Sequence, residues 1–138
     1  MGIGCPDMIL ETSFILDLWD EKPEAVSKAR EIDARGEPTY LPTPVLYELW
    51  EGVARSERPR QEATKIQDFV SGHDILPFND ADAREAGLLS GRLSRGGRMM
   101  GTIDVQVAGM AKARGQVLLT ADRRFRDLST EIRLEKYP

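Results

Sequence analysis

Four acidic residues occupy positions in this sequence from which a carboxylate could take part in chemistry. They are Glu11, Glu48, Asp104 and Asp122. Each lies at or just beyond the end of a predicted strand or the start of a predicted helix, where parallel strands bring side chains to one edge of a sheet. Clustered carboxylates repel one another and need a cation, and oxygen ligands without His or Cys favour Mg²⁺ or Mn²⁺. Such an ion activates water and neutralises charge on a phosphodiester.

The segment around Glu11 is the most informative of the four. The apolar run Met8–Leu10 stops at Glu11, two hydroxyl residues follow, and a second apolar run begins at Phe14. We predict a buried strand that turns directly into a helix. The carboxylate at that turn is either the start of an active site or a helix cap.

The other three acids also have purely structural interpretations. Asp122 could cap the turn that follows it. Asp104 lies in a first helical turn, where the helix dipole favours a negative charge. Glu48 could be a solvated residue of its helix, although its apolar neighbours Leu46 and Leu49 point toward a partly buried position.

Composition limits the class of protein. A chain of 138 residues with 41% hydrophobic and 30% charged residues suits one soluble globular domain, with residues 1–7 as a flexible N-terminal extension. No apolar run approaches the length of about 18 residues that spans a bilayer, and no secretory signal is visible, so we expect a cytoplasmic protein with no membrane partner. A single cysteine, Cys5, and a single histidine, His73, exclude an intramolecular disulfide and a His-rich zinc site.

Charge is unevenly distributed along the chain. The formal net charge is −4, yet residues 84–126 hold 9 Lys/Arg against 3 Asp/Glu. Such a basic segment is a candidate face for a polyanion, or else the solvated side of ordinary helices. The candidate phosphate-binding residues in it are Arg98, Arg123, Arg124 and Arg126. The alternative is that these arginines pair with neighbouring acids.

Strands that alternate with helices are predicted from the apolar runs and from the Pro and Gly positions. The predicted strands cover residues 8–10, 39–41, 75–76, 117–119 and 132–134. The predicted helices cover residues 13–19 and 23–35, begin at Thr43-Pro44, Pro59, Asn79 and Gly101-Thr102, and precede a short helical turn over 121–128. Thr43 and Asn79 are the expected caps, and Asp82 is expected to serve a first helical turn. This order predicts a compact α/β/α domain with parallel pairing.

Four short motifs resemble those of PIN-domain proteins, specifically the VapC-type ribonuclease toxins. They are Ile9-Leu-Glu-Thr-Ser-Phe-Ile-Leu-Asp17, Pro44-Val-Leu-Tyr-Glu48-Leu, Gly101-Thr-Ile-Asp104 and Leu119-Thr-Ala-Asp122. Each motif is short, but their order and spacing in a chain of this length are specific. The resemblance extends from Met8 to Tyr137 and implies a single PIN-like domain with a parallel sheet of about five strands.

The resemblance also implies a function and a site. It implies an endoribonuclease centre dependent on Mg²⁺ or Mn²⁺, an RNA substrate, a homodimer and a cognate antitoxin. The implied catalytic acids are Glu11, Glu48, Asp104 and Asp122, of which Glu11, Asp104 and Asp122 would hold the metal. The implied supporting hydroxyls are Thr12, Ser13 and Thr120.

Glu11 departs from the family pattern, in which the first acid is nearly always Asp. The extra methylene moves the carboxylate by roughly 1 Å, which disturbs an octahedral Mg²⁺ site. Either the site has adjusted, or metal binding is weakened, or the residue was changed to obtain a tolerable toxin. A second hypothesis is therefore a PIN-fold module that only binds RNA or a partner protein. A receiver-like phosphoryl-transfer domain is disfavoured because no Asp-x-Asp follows the first strand.

Aromatic residues fall on or beside the apolar faces of predicted helices. They are Phe14, Trp19, Tyr47 and Trp50. We expect core or dimer packing for them rather than base stacking.

Overall fold

Five parallel strands form the central sheet of the computed structural model, which describes residues 7–137. The strands are β1 (Met8–Leu10), β2 (Thr39–Pro42), β3 (Asp74–Leu76), β4 (Val117–Thr120) and β5 (Arg133–Lys136). Their order in the sheet is β3-β2-β1-β4-β5, and every neighbouring pair is parallel. In the register of the central strands, Ile9 lies opposite Tyr40 on one side and Leu118 on the other.

Helices connect successive strands. They are α1 (Thr12–Trp19), α2 (Pro23–Arg35), α3 (Thr43–Arg55), α4 (Pro59–Ser71), α5 (Asp80–Arg95) and α6 (Thr102–Arg114), followed by a 3₁₀ helix (Arg123–Leu128). The architecture confirms the predicted α/β class with a parallel sheet of five strands. Only the last strand differs noticeably, because it begins at Arg133 rather than at the buried Ile132.

The predicted N-terminal extension falls almost wholly on residues outside the described part of the chain, as does Cys5. Asp7, the last residue of that extension, is held to the sheet, because its carbonyl accepts a hydrogen bond of 3.0 Å from the Val117 N–H. Within residues 7–137, no helix is both long and apolar enough to cross a membrane.

Helix starts follow the sequence signals, with one correction. Asn79 caps α5 in a reciprocal capping box with Asp82, as expected. Thr43 is not the cap of α3, because Pro42 occupies that position and Thr43 is already helical. The Thr43 hydroxyl instead accepts a hydrogen bond of 3.2 Å from the Phe78 N–H, and so connects α3 to the segment after β3.

Burial is deepest in the central strands and in α6. All three residues of β1 are buried, as expected for a strand with neighbours on both sides and helices on both faces. Helix α6 is buried on most of its surface and packs closely on α5. This close approach requires Gly109, because a Cβ there would lie 2.6 Å from the Ala86 Cα.

The aromatic residues divide into two groups. Core packing is confirmed for Phe14, whose ring packs edge-to-face on Tyr137 at 5.2 Å, and for Trp19, which packs on Phe69. Core packing is wrong for Tyr47 and Trp50, because both lie exposed on α3. The spacing of Tyr47 and Trp50 places them beside the apolar face of α3, but both side chains lie on the solvent side of the helix. Dimer packing of these two residues stays a prediction.

Candidate functional site

The four predicted acids come from four separate elements that end at the carboxyl edge of the sheet. Glu11 directly follows β1 and caps α1, and Asp122 follows β4 and caps the 3₁₀ helix. Glu48 lies in the second turn of α3, and Asp104 lies in the first turn of α6. The sheet topology therefore brings together residues that are up to 111 positions apart in the sequence.

Burial, and to a lesser extent mutual repulsion, shifts the pKa values of the acids. Burial raises the pKa of Glu11, Glu48 and Asp104 above the ordinary values. The charge of Asp122 adds to this rise for Glu11 and for Asp104, and the charge of Asp104 adds to it for Glu48. Each acid thus has a like charge as a neighbour, which indicates that the four form one cluster.

Glu11 is the most deeply buried member of the cluster, with 4% of its surface exposed. Its Oε1 accepts hydrogen bonds from the hydroxyls of Ser13 and Thr120, the latter at 2.5 Å. Its Oε2 accepts a hydrogen bond of 3.0 Å from the Ser13 N–H. The helix-cap interpretation of Glu11 is confirmed, because its carboxylate caps α1. The same carboxylate lies among the four acids, and its part in an active site stays a prediction.

The third predicted hydroxyl serves a different acid. The Thr12 hydroxyl donates a hydrogen bond of 2.6 Å to Oε1 of Glu48. This bond joins the start of α1 to α3 and holds the Glu48 carboxylate toward the sheet edge. Thr12, Ser13 and Thr120 are thus all hydrogen-bonded to the acids, and none of the three is solely a surface hydroxyl.

Asp104 and Asp122 share one arginine. Arg124 donates from Nη2 to Oδ2 of Asp122 at 2.5 Å, and the same Nη2 lies 3.3 Å from Oδ2 of Asp104. These hydrogen bonds hold the pKa of Asp122 below its ordinary value. Gly101 leaves room for the Asp104 carboxylate, because a Cβ at position 101 would lie 3.3 Å from its Oδ2.

The Arg124 guanidinium lies on the acids, and its contact with phosphate stays a prediction. The spacing Asp-x-Arg at the start of the last helical turn was the available signal, since it allows a side chain to bond back to its own cap. Arg98, Arg123 and Arg126 are exposed and form no salt bridge with another residue of the described chain. For Arg124, the alternative of pairing with neighbouring acids is confirmed.

Two clefts flank the acids. One, of about 250 Å³, is lined by Arg98, Met99, Arg124 and Asp127 among others. The other, of about 320 Å³, lies between α1, α3 and α4 and is lined by Thr12, Leu16 and Glu48 among others. Arg124 therefore faces the first cleft, and Glu48 faces the second.

The donor chemistry of the cluster fits a hard divalent ion, because every side-chain donor is a carboxylate or hydroxyl oxygen. Within residues 7–137, however, no three Asp, Glu, His or Cys side chains converge closely enough to form a metal site as they stand. The Arg124 guanidinium supplies the cation between Asp104 and Asp122. An ion held between these two carboxylates would therefore compete with the Arg124 guanidinium.

The curated proteins similar in sequence to this chain include two VapC proteins. A tRNA(fMet)-specific endonuclease VapC of Shigella flexneri is 35% identical over 79 residues, which are 57% of this chain and 60% of that protein. The chain thus spans less than two thirds of this relative. A ribonuclease VapC2 of Haemophilus influenzae is 29% identical over 65% of this chain and 68% of its own length.

Solved structures share the fold over nearly the whole chain. VapBC2 from Rickettsia felis, bound to a DNA fragment from its promoter, superposes with a TM-score of 0.84 at 24% identity, covering 95% of this chain and 98% of that one. DNA-bound VapBC from Salmonella typhimurium gives a TM-score of 0.82 at 23% identity, covering 96% and 98%. The sequence model of the PIN domain matches residues 8–131, which is most of the chain. The chain therefore belongs to the PIN-domain family.

Proposed function

We propose that this chain is a metal-dependent endoribonuclease of the VapC type, the toxin of a toxin–antitoxin pair. The observation that carries the proposal is the meeting of four acids from four elements at one sheet edge, where burial raises the pKa of three of them. Buried like charges destabilise a fold, so they persist where a cation or a reaction uses them. The VapC names of the similar sequences support the ribonuclease assignment.

Glu11, Asp104 and Asp122 are the residues that would hold Mg²⁺ or Mn²⁺, and Glu48 would complete the acidic pocket. When bound, the ion supplies an activated water and neutralises charge on the phosphodiester. In the hydrolysis, the water oxygen forms a bond to phosphorus and the bond from phosphorus to one ribose oxygen breaks. The chain contributes orientation, because Thr12 fixes Glu48 while Ser13 and Thr120 fix Glu11.

RNA would be positioned by the exposed arginines beside the acids. Arg98 lines the cleft next to Arg124, while Arg123 and Arg126 lie exposed on the 3₁₀ helix that begins after Asp122. Guanidinium groups bind phosphates without reading the base sequence, so these residues would hold the strand rather than select it. The acidic net charge of the whole chain, −4, restricts RNA binding to this local surface.

A cognate antitoxin and a second copy of the chain are the proposed protein partners. The structural neighbours from Rickettsia felis and Salmonella typhimurium are VapBC assemblies, which supports an antitoxin. The exposed side chains of Leu16, Tyr47 and Trp50 on α1 and α3 are apolar surface of the kind that protein interfaces use.

RNA cleavage in the presence of Mn²⁺ tests the function directly. The purified chain should cut RNA with Mn²⁺, and a chelator should stop the reaction. Asp104→Asn should lower the cleavage rate by about 100-fold or more, because it removes a carboxylate that would hold the ion. Asp68→Asn removes an exposed acid on α4 that lines neither of the two clefts, and it should leave the rate unchanged. Cleavage by Asp104→Asn at the parent rate would show that the assignment is wrong.

A second candidate is a PIN-fold module that binds RNA or a partner without cleaving. The observation that favours it is that both Glu11 oxygens are already engaged within the protein. Oε1 accepts from the Ser13 and Thr120 hydroxyls, and Oε2 accepts from the Ser13 N–H. Glu11→Asp separates the two functions. A large gain in cleavage or in Mn²⁺ affinity identifies the parent as a weakened enzyme, whereas no cleavage by either protein favours the binding module.

A further inference from the structure

We propose that Arg124 is an internal cation that holds the acidic cluster closed and must leave it before a divalent ion binds. This inference rests on the proposed metal-dependent function. It makes Arg124 a positioning residue, which governs the metal site without itself touching the reacting atoms.

The guanidinium of Arg124 occupies the oxygens that an ion would use. Asp122 Oδ2 accepts from both Nη2 and Nε, at 2.5 Å and 3.0 Å, and Oδ1 accepts from Nε at 3.1 Å. Nη2 also lies 3.3 Å from Asp104 Oδ2. Both carboxylates face the same guanidinium. An ion held between Asp104 and Asp122 would therefore exclude the Arg124 side chain from this position, and the side chain excludes the ion.

Arg124 is placed so that it can leave. Its side chain is 60% exposed, although the two carboxylates it contacts are largely buried. An ion pair whose arginine lies mostly in solvent contributes little to the free energy of folding. Moving the Arg124 side chain out of the pair therefore costs little free energy. The start of the 3₁₀ helix does not depend on the guanidinium, because the Arg124 backbone N–H donates separately to Asp122 Oδ1 at 2.9 Å.

A destination for the displaced side chain is already present. Arg124 lines the cleft of about 250 Å³ beside the acids together with Asp127, whose carboxylate offers another acceptor. A phosphate of an RNA strand in this cleft would offer a stronger one. By linkage, RNA that draws Arg124 out of the cluster also strengthens metal binding.

Titration of Mn²⁺ against the full chain, followed by the loss of the free-ion electron paramagnetic resonance signal, tests this inference without an activity assay. We expect Arg124→Met to bind Mn²⁺ about threefold to tenfold more tightly than the parent, because the competing cation is gone. The matched control is Arg123→Met, which removes the same charge from the adjacent residue that does not contact the acids. Arg124→Gln serves as a second variant if Arg124→Met unfolds.

The comparison between the two variants decides the outcome. Affinity for Mn²⁺ that is at least about threefold higher in Arg124→Met than in Arg123→Met supports the inference. A smaller difference overturns it, because the gain is then only the general effect of one less positive charge. If the parent binds Mn²⁺ and cuts RNA in that case, the proposed function stands without the inference. Failure of every variant to bind Mn²⁺ overturns both.

Discussion

This molecule has two clusters in which arginine contacts aspartate, and the two clusters differ in their balance of charge. Between the start of α5 and the end of α6, Asp82 is paired with Arg114, which donates from Nε and Nη2 at 3.1 Å and 2.8 Å. At the sheet edge, Arg124 contacts both Asp104 and Asp122. The first cluster has one acid for one base, whereas the second has one base for several acids.

The difference lies in how completely the charges are satisfied. The Asp82 side chain is 1% exposed and accepts hydrogen bonds from the Asn79 N–H and from Arg114, and Arg114 also donates to the Pro77 carbonyl. Arg114 thus holds the end of α6 to the start of α5, and the Asn79 N–H belongs to the capping box of α5. The cluster at the sheet edge retains a surplus of negative charge, and its only contacting arginine among the described residues is largely in solvent. Balanced charge indicates a structural pair, and unbalanced buried charge indicates a site.

Replacing each arginine in turn should give the largest difference between the two clusters, measured as the change in the free energy of unfolding. Arg114→Met leaves the buried Asp82 carboxylate without its partner and should lower the free energy of unfolding by about 3 kcal/mol. Arg124→Met should lower it by only about 1 kcal/mol, because the Arg124 side chain is largely exposed, whereas that of Arg114 is not. Urea denaturation of the two variants and the parent measures both values. Equal losses in the two variants would remove the distinction between the clusters.

Binding of Mn²⁺ should stabilise the parent through the sheet-edge cluster alone. At a tenfold excess over Kd, the free energy of unfolding should rise by about 1.4 kcal/mol, which is a shift in Tm of about 5 °C. Thermal unfolding with and without Mn²⁺ measures the shift. It should vanish in Asp104→Asn and persist in Asp68→Asn. A shift that survives in Asp104→Asn would place the ion elsewhere.

The pH dependence of stability should have opposite signs at Glu48 and at Glu135. Burial raises the pKa of Glu48 above its ordinary value of 4.5; the hydrogen bond from Thr12 partly offsets this rise, and the charge of Asp104 adds to it. Such a group binds more protons when folded, so it lowers stability as the pH rises from 4.5 through its folded pKa. Glu48→Gln should therefore stabilise the chain by about 0.5 kcal/mol at pH 7, and by nothing below pH 4.5.

Glu135 is the matched control for this prediction. The hydrogen bond from Arg35 lowers the pKa of Glu135, despite its partial burial, and Lys28 adds to the effect. Its contribution to stability is present above 4.5 and is lost as the pH falls through the folded pKa. Glu135→Gln should destabilise the chain by about 0.5 kcal/mol at pH 7 and have no effect at low pH. Urea denaturation across pH 3 to 8 compares the two variants, and shifts of the same sign would contradict the prediction.

Local sequence signals were sufficient for most of the fold. Gly36 and Gly115 end α2 and α6 with φ of 69° and 63°, which glycine adopts readily, and Asn79 begins α5 through its side chain. The order of strands and helices then implies parallel pairing at one edge. That order is also why four acids so far apart in sequence could be assigned to one place.

Contacts that depend on long-range side-chain geometry could not be predicted from the sequence. Thr43 looked like a cap, but its hydroxyl meets Phe78 on a neighbouring segment. Asp82 was assigned to a helix turn, and its pairing with Arg114 depends on how closely α5 and α6 pack. The Arg124 side chain likewise lies on the acids rather than in solvent because of the negative charges around it. Spacing along the chain contains none of this information.

The absent side chain at Gly109 has a consequence for how the chain tolerates mutation. Residue 109 lies on α6 five positions after Asp104 and contacts none of the acids, yet α5 lies against it so closely that a methyl group would meet the Ala86 backbone. Any larger residue must force α5 and α6 apart, and we expect this to displace the Asp104 carboxylate at the start of α6. In a library of all single substitutions selected for RNA cleavage, position 109 should therefore be as intolerant as the acids themselves, although it carries no functional group.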